Sequence, residues 1–592
     1  MKLNQNFRKL YLPYFRSIYD IGIFQLANFF IISGTVFLFK QLAMILIRSS
    51  GREAISTGDF MFLFTTWQGP LLLAIGLIIL TLYVAFDLNS QILFSESLLK
   101  GKPEMKNSLI NGFLSIRDFL TPDGIGIILY ISLIAPIVGF GFTISLTDSL
   151  YVPSFISSVI DSVPAYKLLY NIFIIAFIAL GVLNIFTLHG ILLSGKRSCD
   201  ADNESRKLIK ENWKDFIRSN LLFALRFGVI FVADFFITGI IPALLVTVIF
   251  TNETHQVIAY YFVLFSMLVT MFLIGSYFKS FYMIKMTQLY HRYRGEDDSF
   301  KIGPNKKQVI ISLINITLLF AILFGVSILV STNFEQIFST QVKTQIISHR
   351  AGGVEAPENT IAGIEKAIEY GAAGAEIDIQ RTKDGYYIIN HDGNFARLCS
   401  NKGRPEEMTL EEIKALTIRD PLFPDQEEKV ATLEEMLEAS KDRIILFIEL
   451  KGNTADQQMA DDAVKIVKEA GMEDQCVLIS LKYPLIDYIE RNYPEMDTAY
   501  LTFASFGKTA NLNCDYIGLE EEATNSSTID AIHDTGRKVL VWTPNSEYSI
   551  RKFLLSKADY IITDQVSLAK KTTKELSERK DIEVLIDLFF IN

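Results

Sequence analysis

Seven stretches of the chain, about 21–46, 69–88, 124–146, 168–194, 220–250, 257–284 and 308–331, are almost wholly apolar. A helix needs about 20 such residues to cross the hydrocarbon core of a bilayer. Each stretch is therefore read as a transmembrane helix. Charge in the connections tests the count, because Lys and Arg collect on the cytoplasmic side. Basic residues crowd the N-terminal tail, the 92–123 loop (Lys100, Lys102, Lys106, Arg117), the 195–218 loop and the 285–307 loop. The connections around 47–67, 148–167 and 251–256 hold only Arg48, Arg52 and Lys167. Basic and non-basic connections alternate throughout, which predicts seven spans with the N-terminus inside and the C-terminus outside. Lys2, Arg8, Lys9 and Arg16 precede an apolar run too long for a signal-peptide core, so the first run is read as a retained span.

The apolar pattern ends near residue 330. The first 339 residues carry a net charge of +6 and the remainder −16. This contrast predicts an N-terminal all-α polytopic membrane domain over 1–339 and a soluble domain over 340–592. An acidic soluble half argues against nucleic acid as a partner. The four cysteines, Cys199, Cys399, Cys476 and Cys514, are too scattered for a disulfide scaffold or a structural zinc site. Within the spans, Asp234 and Arg226 read either as a polar site or as a buried or snorkelling pair.

From Gln345 onward, short β-branched runs alternate with helical stretches. Strands are predicted at 345–349, 375–380, 443–450, 476–480, 497–501, 515–520, 538–543 and 559–563, and helices at 360–371, 432–440, 457–471, 482–493, 526–536 and 546–556. Eight such strands over about 220 residues predict a (β/α)₈ TIM barrel. One run, YYIINH (386–391), follows the second strand too closely for a parallel crossover. It is read as a hairpin that returns His391 and Asp392 towards the strand carrying Glu376 and Asp378.

Active sites of such barrels lie at the carboxyl ends of the strands. There the sequence places His349-Arg350, Glu376-x-Asp378 and Glu449-x-Lys451. Two-residue spacing puts both side chains of a pair on one face. Three carboxylates crowded together repel unless a cation lies among them, and a divalent metal with oxygen ligands is the simple answer. Arg350 and Lys451 add positive charge suited to a phosphate, and His349 and His391 supply an acid and a base. Plainer readings stand beside these. Glu376 and Asp378 could pair with Arg381 or Lys383, Lys451 could be a solvated strand end, and Trp542 could be packing. Asp564 could order the last loop, and Glu520 could line the pocket or belong to a solvated loop.

HRAGGVEAPENT (349–360), AEIDIQRTKDG (375–385), INHD (389–392), FIELK (447–451), VWTPN (541–545) and IITD (561–564) together resemble the glycerophosphodiester phosphodiesterase family, in order along the whole soluble domain. The apolar half resembles the membrane domain that precedes this catalytic domain in some bacterial members. The resemblance implies hydrolysis of a glycerophosphodiester to glycerol 3-phosphate and an alcohol. It assigns Glu376, Asp378 and Glu449 to Ca²⁺ or Mg²⁺, and His349 and His391 to acid–base catalysis. Arg350 and Lys451 would hold the phosphate, Glu358 and Asn359 would order the loop beside His349, and Trp542 would line the alcohol pocket. The sequence departs from the family pattern at HRAGG, where the loop after Arg350 would differ by a residue, at Val430-Ala431, which costs a rigid turn but no catalytic group, and at SLKY (480–483), which bears on pocket shape and not on the reaction. With the barrel outside and near the bilayer, substrates would be lysophospholipids, deacylated head groups or glycerophosphate polymers. Two rival readings are a transport or sensing protein whose barrel only binds phosphodiesters, and a lyase-type barrel phosphodiesterase.

Overall fold

A computed structural model describes the chain apart from residues 1, 53, 57–61, 120–159, 161–162, 297–305, 335–341, 504, 508, 580–582, 585–586 and 588–592. The described residues form two compact units. The first is helical. Among the described residues, six helices are long and apolar enough to cross a membrane: Ile18–Ser49, Gln68–Leu99, Pro164–Ser194, Ser198–Ile249, Glu253–Tyr293 and Ile310–Thr332. They match six of the seven stretches expected from the sequence, each covered to within two residues. The other, 124–146, lies outside the described residues. In the fifth stretch the helix loosens into a π-helical turn at Phe235–Ile240, directly after Asp234. The Asp234 carboxylate accepts a hydrogen bond from the Thr270 hydroxyl (2.9 Å) on a neighbouring helix. Asp87, fully buried, is matched in the same way. It pairs with Lys279 and accepts from the Asn28 amide at 2.6 Å.

The second unit takes in residues 43–70 together with the C-terminal part of the chain. Its strands are β1 (Ala54–Ser56), β2 (Gln345–Ser348), β3 (Gly374–Arg381), β4 (Tyr387–Ile389), β5 (Ile445–Leu450), β6 (Cys476–Ser480), β7 (Asp497–Thr502), β8 (Ser505–Gly507), β9 (Tyr516–Glu520), β10 (Lys538–Trp542) and β11 (Tyr560–Thr563). Eight of them, β2, β3, β5, β6, β7, β9, β10 and β11, are parallel neighbours in sequence order, and the β2–β3 and β11–β2 pairings close the ring. This is the expected barrel, with each strand within two residues of its predicted span. The expected hairpin is also present, β4 lying antiparallel on β3 with Ile379 opposite Ile389.

Side chains alternate inside and outside along each strand. Ile377, Ile379, Leu446, Ile448 and Leu450 point outward into a layer shared with Met459, Val464 and Val467 of the helix Gln457–Ala470. That helix follows from its sequence: Asp456 accepts from the Met459 amide at its start, and Gly471 ends it in a left-handed conformation. The inside is filled by Phe447, Tyr516 and Tyr560, whose ring centroids lie 5.7–6.3 Å apart in edge and tilted contacts. Gly374 makes room for them, since a β-carbon there would lie 2.9 Å from the Phe447 ring. The barrel is thus a plugged core whose upper end alone is open to chemistry.

Truncating Phe447→Ala should empty the centre of that plug and cost about 3–5 kcal/mol of stability. The check is thermal unfolding of the detergent-solubilised protein; an unchanged Tm would contradict a packed interior.

Candidate active site

Glu376 and Asp378 share the inward face of β3, and Asp378 stands directly across from Glu449 of β5. All three are buried, and one carboxylate oxygen from each lies within 4.8 Å of the others. Burial, followed by the charge on Asp378, pushes the Glu376 carboxyl up to about 8. Burial raises Glu449 as well. It also works against a charged Asp378, but Lys451, His391 and Arg350 outweigh it and hold that carboxyl below its ordinary range. The Lys451 ammonium donates to Asp378 (2.8 Å) and to Glu449 (2.9 Å), so it braces the carboxylates from the end of β5. One ammonium offsets only part of three buried charges. Three hard oxygen donors at this spacing fit a divalent cation.

His349 follows directly on β2, where its amide still donates to the Thr563 carbonyl (3.0 Å) across the barrel seam. Its Nδ1 lies 2.7 Å from the Asp564 carboxylate and its Nε2 4.0 Å from Glu376. Burial alone would lower its pKa, but the charge and hydrogen bond of Asp564 outweigh that and raise it. The loop after His349 turns sharply, with Arg350, Ala351 and Asn359 at φ of 49°, 58° and 56°. Non-glycine residues pay for that conformation, of order 1–3 kcal/mol each. The return is visible in the hydrogen bonds. The Arg350 amide donates to the Glu376 carboxylate (2.8 Å) and the Ala351 amide to the Glu376 carbonyl (2.7 Å). Asn359 donates to Asp378 (2.8 Å) and accepts from the Asp378 amide (3.2 Å). Asn359 therefore orients a carboxylate of the cluster itself, a closer role than ordering the loop.

His391 arrives by the hairpin. The Asn390 amide donates to the Asp378 carbonyl (3.0 Å), and the Gln380 amide group donates to the carbonyls of both Asn390 and Asp392 (2.7 Å each). These bonds straddle His391 and fix its backbone. Its Nδ1 lies 2.9 Å from Asp392, and its Nε2 lies 2.9 Å from the Arg350 guanidinium. A guanidinium only donates, so Nε2 accepts and the proton sits on Nδ1. Glu358 receives Arg350 (3.2 Å) on one side and Arg397 (2.8 Å) on the other, and Arg397 also reaches Asp392 (2.8 Å). Trp542 ends β10 and packs half-buried on the aromatic plug, in the floor of the mouth. Glu520, fully buried at the end of β9, accepts from the Glu522 amide (2.8 Å).

The structure thus brings together His349, Arg350, Glu358, Asn359, Glu376, Asp378, His391, Glu449 and Lys451 through direct contacts, with Trp542 at the same end of the barrel. Sequence reasoning left Asp564 as a loop residue, gave Asp392 no role, and missed Gln380 and Arg397. Asp564 was within reach: it ends the last strand, which a closed barrel sets beside the first. Arg397 lies in a short turn of helix, Ala396–Cys399, with no pattern to mark it.

Comparison with known proteins gives the same picture for both halves. Residues 349–568 match the model of the glycerophosphoryl diester phosphodiesterase family, and residues 3–328 match the membrane domain of glycerophosphoryl diester phosphodiesterase. The chain is similar to a glycerophosphodiester phosphodiesterase of Caldanaerobacter subterraneus, at 28% identity over 38% of this chain and 95% of that protein. It is similar at 27% identity to one of Bacillus altitudinis, over 39% of this chain and 99% of that protein. Among solved structures, a phosphodiesterase of Oleispira antarctica in complex with the product sn-glycerol-3-phosphate aligns at 24% identity and a TM-score of 0.36, covering 39% of this chain and 96% of that one.

The raised Glu376 pKa has a measurable consequence in metal-stripped protein. Folding lifts it from 4.5 to about 8, so its protonated form favours the fold. That contribution is complete below the ordinary carboxylate range and is lost as pH climbs through the raised value. In EDTA, Tm should fall between about pH 5 and pH 8, and Glu376→Gln should flatten the slope. A slope unaffected by the substitution would contradict this account of the cluster.

Proposed function

The chain belongs to the glycerophosphoryl diester phosphodiesterase family, and from its site we propose that it hydrolyses glycerophosphodiesters to sn-glycerol 3-phosphate and an alcohol with Ca²⁺ or Mg²⁺ held by Glu376, Asp378 and Glu449. The single observation that carries this reading is the matched pair of histidines. Each has its Nδ1 fixed by its own carboxylate, Asp564 or Asp392, with Nε2 turned towards the carboxylate cluster at His349 and towards the Arg350 guanidinium at His391. A protein that only bound phosphodiesters would need no such pair. When bound, the cation would polarise the phosphoryl group and offset its charge.

The chain's own residues supply the rest. Arg350 and Lys451 stand beside the cluster as the positive groups for the phosphate oxygens. One imidazole accepts the proton of the attacking hydroxyl or water, and the other donates a proton to the leaving alkoxide. The aspartate behind each ring holds the tautomer and steadies the imidazolium as it forms. Glu358 and Arg397 link Arg350 to Asp392 in one chain of ion pairs. Trp542 offers an apolar surface to the alcohol group.

We also read the protein as a multi-pass membrane protein of a bacterial cell, with its N-terminus inside and the barrel over 340–592 outside. Strand pairing supports the odd span count that this needs. β1 lies between the first and second spans and pairs antiparallel with β8 of the barrel, Ile55 opposite Phe506. Loop and barrel must then share one side of the membrane, so an even number of spans separates them. Five described helices lie between, and the apolar stretch 124–146, read from the sequence as a span, would make the sixth.

The test is release of glycerol phosphate from glycerophosphocholine or glycerophosphoglycerol by the purified protein. EDTA should abolish it and Ca²⁺ or Mg²⁺ restore it, while His349→Ala and His391→Ala should each lower kcat by about 10²–10⁴-fold. Metal-independent release, or full activity in His391→Ala, would sink the reading.

A further inference from the structure

Inside the helical unit, the two charged residues singled out in the fifth apolar stretch, Arg226 and Asp234, do not pair with each other. Asp234 accepts from the Thr270 hydroxyl (2.9 Å). Arg226 is half-buried and has no hydrogen-bond or ion-pair partner among the described residues. Lys285, on the neighbouring helix Glu253–Tyr293, is in a similar position. It is 8% exposed, and its ammonium, with three protons to give, makes one hydrogen bond, to the Asn220 side-chain oxygen (2.8 Å). Its nitrogen otherwise lies over the rings of Phe223 (5.1 Å) and Tyr282 (5.8 Å). Among the described residues, no carboxylate forms an ion pair with it. Arg226 and Arg292 add like charge, and the carboxylate that acts on it, Asp215, is exposed and accepts from the Tyr293 hydroxyl (3.1 Å). Lys279, by contrast, has Asp87. A buried cation without its counter-charge destabilises the fold that holds it.

The surroundings say where the missing anion comes from. Lys285 directly follows the apolar stretch 257–284, and its partner Asn220 opens the stretch 220–250, so the pair marks the level at which apolar helix gives way to basic connection. Arg226 lies further along its helix by about 9 Å, a distance that a long arginine side chain covers by snorkelling, and its charge is felt at Lys285. Two turns before Asn220 stands Trp213, exposed, with the Lys214 ammonium over its ring (5.6 Å). Tryptophan collects at head-group depth. Past Asn220, Leu221, Leu225 and Val229 follow one turn apart on one helix face, all exposed. A basic pocket at head-group level, with an open apolar strip running inward from it, matches an amphiphile that carries a phosphate. A free phosphate ion would leave the strip unused.

We propose that Arg226 and Lys285 form a site for the phosphate of an anionic phospholipid whose acyl chains lie along the face of Leu221, Leu225 and Val229. The guanidinium offers paired donors to two phosphate oxygens, and the ammonium offers its two remaining protons. The head group supplies the negative charge that Asp87 and Asp234, spent on Lys279 and Thr270, do not. The site lies within the helical unit, so it stands independently of the chemistry of the barrel.

The test counts bound lipid by native mass spectrometry of the full chain in neutral detergent, with phosphatidylglycerol and phosphatidylcholine of one chain length supplied in equal amounts. The wild type should retain phosphatidylglycerol about fivefold over phosphatidylcholine, and Arg226→Gln and Lys285→Met should each cut that retention about threefold. Lys207→Gln, which removes an exposed charge on the same helix, should leave it unchanged. Arg226 has no protein partner to lose, so Arg226→Gln keeps the test decisive should Lys285→Met fail to fold. Equal retention of the two lipids would overturn the proposal. So would phosphatidylglycerol retention that survives both substitutions, or that Lys207→Gln lowers as much. Displacement of the lipid by inorganic phosphate would mark a site for the free anion and overturn it as well.

Discussion

Three carboxylates that cannot all be charged together without help set the terms for the rest of the barrel. Glu376, Asp378 and Glu449 lie within 4.8 Å of one another in a buried face, where repulsion is poorly screened. The surrounding groups answer that problem. Lys451 bridges two of the carboxylates, Arg350 lies over the third through its amide, and Asn359 donates to Asp378. Proton sharing at Glu376 is the remaining outlet in the absence of a cation, and it explains why that residue and not Asp378 is raised. The same imbalance that destabilises the bare cluster suits it to a divalent ion.

That cluster also dictates the strain around it. Bringing an imidazole, a guanidinium and a backbone amide to one side of Glu376 requires the chain to reverse direction within a few residues of β2. Arg350, Ala351 and Asn359 accept left-handed backbone to do so, and each is held by a hydrogen bond to Glu376, Asp378 or Arg350. On the other side, β3 runs past the barrel and folds back as β4, and Gln380 clamps the returning segment at two carbonyls. Gly452 stands against this clamp, since a β-carbon there would lie 2.6 Å from the Gln380 side-chain oxygen. Position of the histidines is therefore a property of the backbone network, and the aspartates behind them set only ring orientation and tautomer.

Much of this was legible in the sequence, for a physical reason. Parallel barrel strands are buried on both faces, so they read as continuous apolar runs between helices with caps such as Thr360, Thr432 and Asp456. A charged residue in such a run, as at Glu376, Asp378 or Glu449, breaks the pattern and draws attention. The hairpin was readable because five residues cannot make a crossover. What stayed hidden depends on contacts across long sequence separations. Asp564 lies 215 residues from His349, and only closure of the ring joins them. Arg397 bridges Glu358 and Asp392 from a four-residue helix whose position no periodicity announces. Gln380 carries no sequence signal because it holds the Asn390 and Asp392 carbonyls, which leave no mark in a sequence.

The membrane half obeys a different economy. Between apolar helices in lipid there is little hydrophobic drive, so packing and polar contacts must choose the arrangement. Asp87 with Lys279 and Asn28, and Asp234 with Thr270, are contacts of that kind: each satisfies a costly carboxylate inside the bundle. A pathway for a solute would need such groups left available along the bundle, whereas these are spent on one another. The loop carrying β1 is spent outward instead, on the edge of β8, where backbone groups of two short strands satisfy each other. The described intramembrane carboxylates are thus used for cohesion, while the titratable groups that could do chemistry lie together at the carboxyl end of the barrel.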